Sequence, residues 1–300
     1  MTEIKDKYIP VLDHGFVALV DYMGGDDSIE RAARVSYGKG TRKTSDQRNL
    51  LRYLISHRHT SPLEQCVMTF HIAMPVVAMR QFVRHRTARL NEYSGRYSEM
   101  PQIYYTANQE NCGFQSTSNK QGRADQVLSN EDYQEYLADI AQSRLSDKAF
   151  YQKWLNKGLA KELARNELPL SIYTYMYWQI DLHNLFHLLK LRLDPHAQYE
   201  IREYARVLAG YAKEVAPICF EAFEDYILYA RNFSCYEMDI IKEMARGVNL
   251  DVLMQASTLS SREKTDFLKK LESPTRTNFT LNFSKAREAS YYEQLVQENL

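Results

Sequence analysis

The sequence predicts an α+β fold: a helix-rich domain around a mostly antiparallel sheet, with a C-terminal helical extension. Two stretches, CVMTFHIAM (66–74) and SIYTYMYW (171–178), alternate with the period of a strand. A third, GFVALVDYM (15–23), is a continuous apolar run. Between and after them apolar residues recur at helical spacing, in an order where strands and helices do not alternate regularly.

Gly24 and Gly25 close the first strand, and Asp26, Asp27 and Ser28 offer N-caps for a helix through IERAARVSY. A second helix is expected from about Ser45 to His57. Leu50, Leu51, Leu54 and Ile55 share one face of it, and Thr44 with Gln47 fits a capping box. In the strand at 66–74, Met68, Phe70 and Ile72 oppose Val67, Thr69 and His71. Pro75 suits the first position of the next helix, where Val76, Met79, Phe82 and Val83 keep helical spacing. Residues 106–130 are rich in Asn, Gln, Ser and Gly and predict a polar, mobile surface insertion.

Helix resumes near Glu131, with a break expected at Gly158, and stops before Pro169. In 171–178, Tyr173, Tyr175 and Tyr177 take one face and Ile172, Thr174, Met176 and Trp178 the other. Asp181 is placed to cap LHNLFHLLKLR. Asp194-Pro195 is expected to start a longer helix with Ile201, Tyr204, Ala205, Leu208, Tyr211, Ala212 and Val215 as its apolar stripe. Pro217 interrupts that helix before a shorter one at about 218–229. Beyond Asn232 one good helix stands out, at about Met238–Ala245. The division expected is a main domain at 1–231 and an extension at 232–300.

Three hundred residues suffice for a substantial core, and 44% apolar with 25% charged residues is ordinary for a globular chain. Lys plus Arg equals Asp plus Glu at 38 each, so no global charge attracts a long nucleic acid, whose affinity comes from many phosphate contacts. Cys66, Cys112, Cys219 and Cys235 form no C-x-x-C pair, which suits reduced thiols in a cytoplasm. MTEIKDKYIP lacks the apolar run of a secretory signal, and no stretch approaches the ~18 apolar residues of a membrane span. A cytoplasmic protein without membrane or nucleic-acid partners is expected.

The densest chemistry lies in RHRTARLNEYSGRYSE (84–99), expected to leave a helix end and run into a loop. Arg84, Arg86, Arg89 and Arg96 are bidentate donors suited to phosphate. Ser94-Gly95 pairs a hydroxyl with a backbone that tolerates close approach, and Asn91 and Glu92 add groups that a ribose or base edge needs. By composition alone this is either an anion site or a solvated charged loop. His183 and His187, four apart on one helix face, could chelate zinc or be satisfied within their helix. Asn184 stands where a zinc hydrolase carries Glu, so no metal is expected. No Gly-x-Ser-x-Gly frame surrounds Ser94, and no cysteine stands in an activating context.

Arg-His-Arg, seven residues, then Ser, here RHRTARLNEYS with GRYS continuing it, resembles the defining motif of the flavin-dependent thymidylate synthases. HRHTSPLEQ (57–65), AKELARNELPLSIYTYMYW (160–178) and LRLDPHAQYEIREYA (191–205) are similar to further blocks of that family, in the same order. The resemblance covers roughly residues 10–230. It implies reductive methylation of dUMP to dTMP with 5,10-methylenetetrahydrofolate as one-carbon donor, FAD as hydride carrier and NADPH as reductant, in a homotetramer with shared sites. Arg192 would polarise the uracil. Gln81, Phe82, Val83, Arg84, Glu92, Tyr93, Ser94, Gly95, Arg96 and Arg165 would join it around dUMP. Ser61, Arg84, His85, Arg86, Glu92, Asp181, Leu182, His183 and His187 would hold FAD, with His59 and Glu64 in the same surroundings. Asp181 departs from the family's amide, and His183 from the Arg of some members. No G-x-G-x-x-G turn is present, so a Rossmann flavoprotein is not expected.

Overall fold

Strands β1 (Ile9–Val11), β2 (Gly15–Met23), β3 (Val67–Pro75), β4 (Arg89–Glu92) and β7 (Tyr173–Asp181) make one sheet in the order β1-β2-β3-β7-β4, antiparallel throughout. A separate hairpin pairs β5 (Gly113–Gln115) with β6 (Arg123–Val127). They belong to a computed structural model that describes residues 4–36, 46–117 and 120–300. The main unit comprises residues 1–222 and 279–300; residues 223–278 form a second.

The register joins Met68, Phe70 and Ile72 to Ile180, Trp178 and Met176, so one sheet face is continuous and apolar. Phe70 meets Trp178 and Tyr211 there, and Phe82 lies 4.5 Å from Trp178. That face is covered by α3 (Val76–Phe82), α6 (Leu182–Arg192) and α7 (Tyr199–Val215), which carry the apolar stripes. The opposite face carries Phe16, Ala18, Ala73 and Tyr173, packed with Tyr8, Ile103 and Tyr292. Gly15 is required by close approach: a Cβ there would lie 2.0 Å from the Tyr204 hydroxyl, which donates to the Ala73 carbonyl at 2.7 Å.

The remaining helices of this unit are α1 (Asp26–Arg34), α2 (Gln47–Ser56), α4 (Asn130–Asn156), α5 (Lys161–Ala164), α8 (Pro217–Phe223) and, after the second unit, α12 (Ala289–Glu298). Gly158, at φ +82°, ends the α4 region as expected. Asp181 caps α6 by accepting the Asn184 N–H at 2.9 Å. The second unit holds α9 (Cys235–Ala245), α10 (Leu250–Ala256) and α11 (Ser261–Leu271). In it Phe267 is buried against Phe233, and Lys270 pairs with Glu237 at 2.7 Å.

Several expectations need correction. Asp26 does not cap α1. It is buried and accepts the N–H groups of Ile218 and Cys219 at 2.8 and 3.0 Å, so it caps α8, while Gly25 and Ser28 close the start of α1. The start of α2 is capped by Asp46, which accepts the Asn49 N–H; Thr44 lies outside the described residues. Pro75 ends β3 and precedes α3 instead of opening it. Residues 194–197 form a turn, and α7 begins at Tyr199. Part of the expected loop at 84–99 is β4, an edge strand on β7. The insertion at 106–130 contains the β5-β6 hairpin and is tied to α7 through the Arg123–Glu200 ion pair. The tail at 232–300 holds more helix than one, and its last part packs into the main unit, where Tyr292 stacks on Tyr8.

Candidate active site

Helices α3 and α6 start at opposite ends of the β3-β7 pair, where Pro75 faces Tyr173 and Val67 faces Asp181. They run toward each other over the same sheet face, and their C-terminal ends meet. There Arg192 donates from Nε to His85 Nε2 at 3.0 Å and from a terminal nitrogen to the Gln81 carbonyl at 3.3 Å. A cation suits the two helix C-termini, whose last carbonyls lack partners within the helix. Burial lowers the Arg192 pKa. Burial, then the Arg192 charge and His187, pull His85 down to about 4, so its ring is neutral near pH 7 and accepts through Nε2. The His187 ring lies 6.2 Å from it, edge-on.

The Gln81 side chain donates to Gln198 Oε1, and Gln198 Nε2 donates to Glu200 at 2.7 Å. Glu200 is 1% exposed and also takes Arg123 and, at 2.9 Å, the Tyr105 hydroxyl. Burial pushes its pKa up, but the Arg123 hydrogen bond and charge outweigh burial and leave it lowered.

A second group gathers where β4 ends. Glu92 accepts from Thr174 Oγ1 at 2.7 Å, and the Tyr93 hydroxyl donates to the Glu99 carbonyl at 2.6 Å. Ser94 Oγ accepts the Arg96 N–H at 3.3 Å. Gly95 is buried, and a Cβ there would sit 2.7 Å from Met100 Sδ and 3.1 Å from Arg165 Cδ, so any larger residue would push both side chains back. The exposed Arg96 guanidinium pairs with Glu162 at 3.1 Å. Among the described residues Arg84, Arg86, Arg165 and Arg192 have no carboxylate partner.

A third group borders a cavity of about 1250 Å³ between α1, α2 and the 59–65 turn. Ser61 and His59 line it together with Gly24, Ser28, Arg31 and Tyr53. Glu64 is exposed on the same turn. The Leu182 side chain is buried and its N–H is taken by the Cys66 carbonyl at 2.8 Å. Phe82 is fully buried, so only its backbone can reach a ligand, whereas Val83 is partly exposed. Both Asp181 oxygens are engaged by Asn184. His183 is half-buried two residues on.

Residues 18–218 match the protein family described as thymidylate synthase complementing protein. The flavin-dependent thymidylate synthase of Treponema denticola is 45% identical over 268 residues, which span 89% of this chain and 98% of that one. That of Wolbachia pipientis wMel is 44% identical over 253 residues, 84% of this chain and 88% of the other. The chain belongs to the flavin-dependent thymidylate synthase family. Of solved structures, a UMP/dUMP methylase PolB from Streptomyces cacaoi bound with 5-Br dUMP is similar, with a TM-score of 0.65 at 30% identity over 73% of this chain and 98% of that chain.

For a flavin-dependent synthase, four residues beside the expected ones take on interest. Glu162 and Gln198 touch expected site residues directly, Glu200 through Gln198, and Arg123 through Glu200 and Gln198 in turn. Gln198 and Glu200 stood inside a matched block without a role. Arg123 lay in a polar stretch whose composition hides a pairing 77 residues away.

Proposed function

We propose that this chain converts dUMP to dTMP with 5,10-methylenetetrahydrofolate, FAD and NADPH, and that the arginines above form its nucleotide site. The observation that carries this reading is the unpaired, partly desolvated guanidinium of Arg192, held by a neutral imidazole and a carbonyl. An ion kept from water without a counter-ion is costly, and an anionic or anion-forming ligand compensates it. Beside N3 and O2 of uracil, Arg192 stabilises negative charge on the ring, which delocalises toward C5 and makes that carbon nucleophilic. Arg165 with Ser94 and the Gly95 backbone, assisted by Arg96 and Arg84, suits the phosphate.

A thiol nucleophile is not needed in this scheme, and three of the four thiols are poorly suited to be one. Burial pushes Cys66 up to about 12 and drives Cys112 and Cys219 upward as well.

The residues fit a flavin dinucleotide. Arg84 and Arg86 offer uncommitted guanidiniums for a diphosphate, and the cavity beside Ser61 and His59 has the volume for a large ligand. His85, His183, His187 and Glu92 would contact the ring system. When bound, FAD supplies the hydride chemistry.

A homotetramer in the cytoplasm completes the proposal. Its support is the dispersal of the three groups within one chain, the exposed apolar side chains Leu90, Leu170 and Tyr177, and four free cysteines. Among the described residues no helix is long and apolar enough to cross a membrane.

The test is an absorbance spectrum of the purified protein. It should show a flavin band that NADPH bleaches and reoxidation restores; colourless protein unable to take up FAD overturns the reading. Mixing inactive Arg192→Ala and Arg86→Ala proteins should restore part of the activity if sites are shared, and none if each subunit works alone.

A further inference from the structure

Glu200 is a carboxylate in the protein interior, and its hydrogen-bonding sense is fixed: ionised, it only accepts. Arg123, reaching from the 106–130 segment, keeps it ionised by supplying the counter-charge. The Gln198 amide must therefore turn its Nε2 toward Glu200, which it does at 2.7 Å, and its Oε1 toward Gln81. That oxygen in turn demands the nitrogen end of the Gln81 amide. Gln81 Oε1 is left without a partner among the described residues, and the backbone of the same residue holds Arg192. One ion pair thus dictates the orientation of two amides in series, each of which could otherwise flip.

We propose that the Arg123–Glu200 pair is a positioning device for the nucleotide site, which through Gln198 makes Gln81 present an acceptor to the nucleotide. The proposal rests on the synthase reading, in which Gln81 stands beside dUMP, and it assigns that contact a sense. Gln81 would accept from an N–H or O–H of the nucleoside. It also gives the 106–130 segment a role in substrate affinity, which its composition as a polar surface stretch does not suggest.

The experiment is a calorimetric titration of FAD-loaded protein with dUMP, applied to a mutant cycle. The R123M/E200Q variant removes both charges at once, so no buried ion is stranded, and leaves Gln198 free to flip. Its dUMP affinity should fall about tenfold with the flavin spectrum unchanged. Adding Q81A to it should weaken binding no further than Q81A alone does, because the three residues act as one unit. R123K, which keeps the charge, should bind within threefold of wild type. Should R123M/E200Q not fold, E200Q alone is judged by the same two criteria.

Wild-type affinity in the folded variant, or losses that multiply with Q81A, would overturn the proposal and leave the synthase reading intact. Wild-type protein that binds neither FAD nor dUMP would overturn both.

Discussion

Arg192 and Arg96 are the same side chain in two electrostatic situations. Arg96 is exposed and shares its charge with Glu162, an arrangement worth about 0–1 kcal/mol because water competes for both ions. Arg192 is partly desolvated, has no carboxylate, and rests on a neutral histidine and a backbone carbonyl. The first arrangement satisfies the chain by itself. The second leaves charge available for something that is not part of the chain, and the contrast locates the chemistry better than the density of arginines does.

The comparison can be broken most sharply at Arg192. Arg192→Ala should lower turnover by about a thousandfold or more, roughly 4 kcal/mol at 1.36 kcal/mol per factor of ten, with the fold and dUMP binding largely kept. Arg192→Lys should fail nearly as badly, because a point charge does not reproduce the planar fork. Single-turnover kinetics with a melting curve measures both, and near-normal turnover in either variant removes Arg192 from its role.

Next comes Arg165, unpaired like Arg192 but beside Gly95. Its replacement by alanine should weaken dUMP binding about ten- to a hundredfold, the range of one charge-assisted hydrogen bond. A titration indistinguishable from wild type rejects the phosphate assignment.

Acid stability probes the neutral histidine that Arg192 needs. Burial holds both His85 and His71 at about 4, below the ordinary 6.5. The unfolded chain therefore binds protons first, so stability is complete above about pH 6.5 and is lost as pH falls toward 4. The melting temperature should drop by several degrees between pH 7 and 5, and His71→Phe should flatten part of that slope. A flat profile would contradict neutral, buried rings.

Arg96→Ala should have the smallest effect. Stability should change by less than about 1 kcal/mol, and dUMP affinity should fall less than in Arg165→Ala, since Arg96 already spends part of its charge on Glu162. A loss exceeding that of Arg165→Ala would reverse the ranking of the two sites.

What could be read from the sequence was local. Alternation in 171–178 places Trp178 and Met176 on one face and Tyr173, Tyr175 and Tyr177 on the other, because period two is a property of the strand itself. Asp181 caps its helix because the acceptor and the N–H lie three residues apart. What escaped was distant in the chain. Asp26 has every local feature of an N-cap for α1, yet it serves a helix about 190 residues later. The 106–130 segment is mostly polar, and Phe114, Val127 and Leu128 are too scattered to set a period, so its hairpin and its hold on Glu200 left no periodic trace. At the site, the matched blocks supplied the arginines and histidines. They could not show that Phe82 and Leu182 turn their side chains into the core, which only packing decides.

Tyr292 of α12 fits against Tyr8, just before β1, and Phe16 of β2, and the Asn299 carbonyl accepts the Gln102 N–H at 2.8 Å. During synthesis part of the sheet's aromatic wall therefore stands uncovered until α12, about 280 residues after Tyr8, has left the ribosome. Ribosomes stalled late in the message would release chains with that part bare, a ready target for chaperones and proteases.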